Sequence, residues 1–466
     1  MSVRNVDSTT EAGFWWLPNS PKERLVGTIT YAPRSGFQIE LVGALLGIEK
    51  GPAAWGLFDV WGETVRGKAV TLFGAHQSNV QTHMPGYPTS KVEASRGIIG
   101  GHYRSVNDVL VHTLDLQFDY LTAWAGQSGL SQRALENHKL EIIVAPGNSI
   151  PLGQSKGITI ELVPYVFHNR SRTDLKLEER CELRLHAEKP RSLTDFEALI
   201  SAIRILLTFA AGQAAHPQLT KGRTGEKTAE IQGTPLWHEI EVIRTIQVPK
   251  DLREIHAEGM LFTLRDLEPH SAKTFEKFLD VQEKLKPVFD LFFPTYFYPD
   301  MPPPQEFLNL VYATEALHRI TIGGQYQSDS EYESGLKKKL QNAIPSLVTQ
   351  DFRQSLMTKL NFLHEYSLRK RLRDLLQKYV GVLTPYIANQ GEFVDAVSDA
   401  RNCLVHASLN REIPEYIELW KLGQQLAMLL EITLLSEIGF EEDRVRSIAA
   451  RGRRAQLLRA NVFRES

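Results

Sequence analysis

Near its C-terminal end the chain reads Val397-Ser-Asp-Ala-Arg401-Asn402-Cys403-Leu-Val-His406. Three of these side chains have the types and spacing for chemistry at a phosphoryl group. Histidine, with an unperturbed pKa of about 6.5, both accepts and donates a proton near neutral pH. Arginine stays charged and fits phosphate oxygens with two parallel donors. Together they supply a proton acceptor and a stabiliser of developing negative charge without a metal. Asn402 and His406 are one helical turn apart, so Asn402 can orient His406 or a phosphate. Arg401 and His406 are five residues apart, about 140° on an ideal helix. Arg401 must therefore reach round with its long side chain, or serve a site completed by a second subunit.

An Arg followed by a His after four or five intervening residues occurs five times in the chain. Arg96/His102 lies in a Gly-rich stretch, Arg180/His186 reads as strand, Arg265/His270 has Pro269 before its His, and Arg133/His138 sits in a β-rich half. Of these five pairs, only Arg401/His406 has Asn directly after its Arg. At average residue frequencies this RNxxxH pattern arises by chance in roughly 3% of chains of this length. Other motifs fail on their chemistry. Gly62-ETVRGKA has P-loop spacing, but Ala69 stands where a hydroxyl should hold Mg²⁺, and the sequence after it reads as strand rather than helix. Neither His238-Glu239 nor His364-Glu365 is followed by the second His of a zinc-protease motif, and the serine-hydrolase pattern GxSxG is absent.

The elements that must position the motif are helical. Beyond Pro302–Pro304, a run that reads as a stiff connector, helices are expected at Glu306–Ile320, Leu336–Ala343, Leu356–Tyr379, Glu392–His406 and Ile413–Ile438. In the last of these, Leu419, Leu422, Leu426, Leu429, Leu430 and Leu434 form a stripe broad enough for the central helix of a bundle. The first ~190 residues read instead as short, alternating strands, among them Gly27-TITY, Phe37-QIELVG, Lys68-AVTLFG, His112-TLDLQFDYL, Leu140-EIIVAP and Gly157-ITIELVPYVF. They suggest a sandwich or barrel. A helix capped at Ser192 or Thr194 follows, then a polar loop at Lys221-GRTGEKT, a strand from Trp237 and a helix from Ser271. The fold class is α+β and multidomain: a β-rich N-terminal region over 1–300, with a candidate split near 190, and an all-helical bundle over 301–466.

The 53 basic and 55 acidic side chains give a net charge of −2, and the part beyond residue 300 holds 21 and 20. That balance excludes bulk electrostatic binding to nucleic acid or to an anionic membrane, but not a local basic groove. Basic residues bunch at Lys337-KK, Arg369-KRLR and Arg444–Arg464, where a solvated helix face is the ordinary reading and phosphate binding the alternative. Two distant cysteines, Cys181 and Cys403, allow no disulfide framework or CxxC site, and the N-terminus has no apolar signal core. A reducing, cytoplasmic setting with no membrane association is expected.

Tyr312-ATEALHR, Asn361-FLHEYSLRKRLRDLL and Arg401-NCLVH, set in a helical C-terminal region, resemble the HEPN superfamily, whose signature is Arg, a polar residue and then His at the tip of a bundle helix. More narrowly, with Gly13-FWWLPNSP, Gly27-TITY and Phe37-QIELVG ahead of it, the chain resembles the Apea-like HEPN proteins of prokaryotic antiviral systems. The resemblance implies an abortive-infection endoribonuclease that needs no metal or cofactor. It would use the RNA 2′-OH as nucleophile, leaving a 2′,3′-cyclic phosphate and a 5′-hydroxyl. His406 would handle the proton of the 2′-OH or the leaving group, Arg401 would stabilise the phosphorane, and Asn402 would orient His406 or the phosphate. Arg369, Lys370 and Arg373 are candidate RNA-backbone contacts. Glu315 is either an orienting partner of Arg401 or a solvent-facing acid. A homodimer through the helical domain would bring two His406 side chains together. The RNA, with transfer RNA one candidate, and a phage-derived trigger at the N-terminal region are the implied partners. The alternative reading is a non-catalytic dimerisation or RNA-binding scaffold with a ligand-binding β-rich domain, which exposed Trp15, Trp16, Trp55 or Trp61 would favour.

Overall fold

The computed structural model describes residues 8–47, 56–135, 140–145, 147–231, 234–246, 253–406 and 414–459. The chain divides into two compact units at Leu279/Asp280. In the first, β1 (Thr9–Trp16), β2 (Leu25–Ala32), β3 (Gly36–Val42), β4 (Phe58–Thr64), β5 (Ala69–Gln81) and β6 (Thr89–Ala94) alternate buried and exposed side chains. They pair antiparallel in the order β5-β4-β1-β2-β3-β6, and a β5–β6 pairing closes the ring into a six-stranded barrel. Closure depends on the length of β5: residues up to Ala75 pair with β4, and His76–Gln81 turn to β6. Trp15, Ile29, Phe37, Ile39, Val60 and Leu72 fill the interior.

The barrel also explains the P-loop look-alike. Gly62 pairs with Trp15, and a Cβ on Gly62 would lie 2.1 Å from the Trp15 ring. Gly67 takes a positive φ of 77° in the turn between β4 and β5. These glycines serve a hairpin and its packing. Trp15 and Trp16 are buried, so neither offers a ligand face; Trp61 is half-buried, and Trp55 lies outside the described residues.

The sheet continues through β7 (Arg96–Ile99), β8 (Leu110–Phe118), β9 (Ile150–Ser155), β10 (Ile158–Arg170), β11 (Leu175–Ser192), β12 (Pro217–Ile231) and β13 (Thr234–Arg244), in the order β9-β10-β11-β8-β12-β13-β7-β5. The buried Asp115 of β8 accepts from Arg184 of β11 and Arg223 of β12, each at 2.7 Å. The polar run Lys221-GRTGEKT is thus strand rather than loop, because its long charged side chains suit a strand with one wet face. Residue 190 marks no break in this sheet, since β8 pairs with β11 on one side and β12 on the other. Between them runs α1 (Leu193–Ala211), whose Ser192 side chain accepts from the Thr194 N–H.

Helix α2 (Ser271–Lys284) crosses the division. The second unit contains α3 (Lys286–Phe292), α4 (Pro303–Thr321), α5 (Leu368–Lys378), α6 (Gln390–His406), α7 (Tyr416–Glu437), α8 (Glu442–Arg451) and α9 (Arg453–Arg459). Leu419, Leu426, Leu429, Leu430 and Leu434 are buried along α7, with Leu422 half-buried; Ile413 lies outside the described residues. Residues 280–300 pack within this unit. Phe289, Phe292 and Phe293 are buried, and the Tyr296 hydroxyl donates to Glu431 at 2.8 Å, beside an Arg454–Glu431 pair at 2.9 Å. Pro302 caps α4 and Pro303 opens it, where a missing N–H costs nothing.

The single helix expected over Leu356–Tyr379 is broken. One helix ends at Leu360 and α5 starts at Leu368, with the Ser367 side chain accepting from the Lys370 N–H. The intervening strap pairs with the turn after α4: Tyr326 N–H donates to His364 O and Tyr366 N–H to Gly324 O, both at 2.7 Å. Those bonds, with caps at Asn361 and Ser367, replace the helical ladder. Among the described residues no helix is long and apolar enough to cross a membrane.

Candidate active site

Helix α6 starts where the Asn389 side chain accepts from the Glu392 N–H at 3.2 Å. Phe393, Val394, Val397, Ala400 and Cys403 are buried and fix its inner face. On an ideal 3.6-residue turn Arg401 falls amid these apolar positions, whereas Asp395, Asp399, Asn402 and His406 share the outer stripe. The sequence thus roots the Arg401 backbone in the buried face and leaves its guanidinium to climb out. It does so toward the outer stripe, since Arg401 Nη1 donates to Asn402 Oδ1 at 3.2 Å. Asn402 is half-buried at the boundary and His406 is exposed on the last helical residue. The hydrogen bond therefore turns the arginine toward the side of the helix that carries the histidine.

Beneath it, Glu315 of α4 is half-buried. Burial pushes its carboxyl above the usual range; the Arg401 charge is the strongest opposing influence, ahead of Arg371 and Arg319. Glu315 is thus a partly desolvated acid in the field of Arg401 and not a solvent-facing one. Arg401 Nε is buried without a hydrogen-bond partner among the described residues.

The basic bunch on α5 separates by face. Arg369 is held between two acids of the α6 outer stripe, Nε to Asp395 and Nη2 to Asp399, each at 2.9 Å. These bonds raise its pKa, and a phosphate would have to displace both. Lys370 pairs with Asp374 on its own helix, and Arg373 is exposed. On an ideal helix Arg373 is one turn from Arg369 and Lys370 lies about 100° round from Arg369, so the three share the side of α5 away from its leucines, with Arg369 and Lys370 already paired to acids.

Arg371, unremarked in the sequence, is 2% exposed. Its Nε donates to Tyr366 O at 3.1 Å, its Nη atoms to the Gly323 and Gly324 carbonyls at 3.4 Å, and Nη1 lies 3.3 Å from His318 Nδ1. Glu365 is 3.6 Å away. The fully buried His318 contacts Asp374 Oδ2 at 3.1 Å through its other nitrogen. One signal could have found it: Arg371 stands three residues after Leu368 and four before Leu375, on the apolar face of α5.

Both cysteines are buried, and burial pushes the Cys181 thiol up to about 11. Among the described residues no cluster of His, Cys, Asp or Glu side chains is placed to hold a metal ion.

Residues 11–278 match the family model ApeA N-terminal domain 1, and residues 308–444 match Apea-like HEPN. Neither the curated proteins nor the solved structures contain a match. The two family matches cover the β-rich unit and the helices that carry Glu315, Arg371, Arg401 and His406, and by them the chain belongs to the ApeA-like HEPN family.

Proposed function

We propose that this protein is an anti-phage defence endoribonuclease of the abortive-infection kind, in which the helical unit cuts RNA without a metal. One observation carries the reading: Arg401, rooted in the buried face of α6, is turned by Asn402 toward the side bearing the exposed His406. His406 takes the proton of the 2′-OH. O2′ then attacks phosphorus, the P–O5′ bond breaks, and the leaving oxygen takes up a proton. Arg401 meets the negative charge that builds on the phosphorane oxygens, where one well-placed donor is worth about 10²–10³ in rate.

A two-fold dimer places a second His406 at the same cleft, so that one imidazole acts as base and the other as acid. Val405 at the end of α6 and Tyr416 and Ile417 at the start of α7 are exposed apolar side chains that such a contact would cover. The β-rich region is the sensor that holds the nuclease silent until a phage-derived trigger arrives, and transfer RNA is one candidate substrate. The test compares RNA integrity and survival during phage challenge in cells expressing wild type, Arg401→Ala and His406→Ala. RNA decay and protection are expected with wild type alone. Equal decay and protection in all three would favour the non-catalytic scaffold.

A further inference from the structure

Round α5 from Arg369, by about 80–180° on an ideal helix, lies an open groove of about 860 Å³, within the usual range for a small-ligand site. One wall is the turn after α4, Ile322–Ser328; the other is α5, through Lys370, Asp374 and Lys378. The groove is built rather than incidental. The buried Arg371 guanidinium ties down the turn through the Gly323 and Gly324 carbonyls, and the 361–367 strap pairs with it. A Cβ on Gly324 would come within 2.9 Å of that guanidinium, so only glycine lets the backbone approach so closely.

Inside, Tyr326 stands edge-on to Tyr366 with ring centroids 4.6 Å apart, yet is 59% exposed. Its ring is therefore braced by one neighbour while most of its surface faces solvent. Lys370 and Lys378 on the walls are balanced by Asp374 and Glu331. Such a groove has no excess charge for a free phosphate. It offers an aromatic platform with hydrogen-bonding groups around it, and that suits an unstacked nucleobase.

We infer that this groove takes a nucleobase of the RNA strand, stacked on Tyr326, and so holds the substrate against α5, the helix that Arg369 ties to α6. The inference rests on the ribonuclease reading for its ligand. In α5, Arg369 ties to α6 while the next residue, Lys370, faces the groove. A strand lying across α5 would meet the groove and the motif helix in turn.

The test uses full-length His406→Ala protein and fluorescein-labelled ten-nucleotide oligo(U), oligo(A) and oligo(C), with binding read by anisotropy. Adding Tyr326→Ala should weaken binding about 5- to 150-fold, the worth of one stacked base, and Tyr326→Phe should restore it. In the cleaving protein Tyr326→Ala should raise KM more than it lowers kcat. RNA carrying 5-bromouridine should photocrosslink to Tyr326. Unchanged affinity in Tyr326→Ala, crosslinks confined to other residues, or no RNA binding at all would each overturn the inference. Binding that depends on Tyr326 in a wild-type protein that cuts no RNA would keep the groove and sink the nuclease. Cleavage indifferent to Tyr326 would do the reverse.

Discussion

Two arginines of the helical unit occupy similar positions on neighbouring helices and are used in opposite ways. Arg371 of α5 and Arg401 of α6 both project from an otherwise apolar face. Arg371 is buried, with three carbonyls, His318 and Glu365 disposed around it. Arg401 is half-buried, bonds Asn402 through one nitrogen, faces a partly desolvated Glu315, and keeps Nε without a partner among the described residues. Removing a buried guanidinium whose donors are engaged by the fold leaves its partners unpaired. Arg401 has fewer partners among the described residues, and on the proposed reading it is the one that meets the phosphorane. Burial and partners, rather than residue type, separate the two arginines.

The contrast is broken first at Arg371. Arg371→Ala should destabilise the helical unit by about 3–5 kcal/mol, the cost of removing one partner from a buried charged network. Urea unfolding should show it. Arg371→Lys should not rescue, because an ammonium cannot reproduce the planar set of donors. Arg401→Ala should do the converse, lowering the RNA cleavage rate about 10²–10³-fold while leaving the unfolding midpoint close to that of wild type. If both substitutions act mainly on stability, the distinction falls.

Glu315→Gln sharpens the comparison. Because burial raises the Glu315 pKa, its ionised form is disfavoured in the folded state, and the stability associated with the neutral form is lost as pH rises through the raised pKa. The amide should therefore leave the melting temperature at pH 7 unchanged or higher, while cleavage falls several-fold as Arg401 loses its counter-charge. Burial, partly opposed by Asp374, holds His318 below its usual range. With the folded pKa depressed, its contribution is complete above about pH 6.5 and is lost as pH falls through the folded pKa. Melting temperatures measured between pH 5 and 7 should rise with pH, and His318→Gln should flatten that slope. The smallest effect belongs to Arg369→Ala. Its two ion pairs are solvent-exposed, so no measurable change in stability is expected.

How much of this could be read beforehand follows from the physics of each part. Alternation announced the barrel strands, because one face of each is buried. The closing of the ring was not legible: it depends on the thirteen residues of β5 changing partner near Ala75, and pairing across the chain leaves no local trace. The Lys221 run misled because a strand with long charged side chains has the composition of a loop. Arg401, Asn402 and His406 stood out by type and spacing. Arg371 did not, since in Arg369-KRLR it sits among solvated neighbours, and only the leucines around it reveal which face it is on. The break before α5 was hidden for a related reason: its caps are local, but the strap bonds to Gly324 and Tyr326 come from a distant turn.

The most direct test of the account is the chemistry of the cut ends. Purified wild type and His406→Ala are incubated with RNA in EDTA, and the termini are identified by mass spectrometry. The account predicts 2′,3′-cyclic phosphate and 5′-hydroxyl ends from wild type alone. Cleavage that requires a divalent metal and leaves 3′-hydroxyl and 5′-phosphate ends, or equal cleavage by His406→Ala, would contradict it.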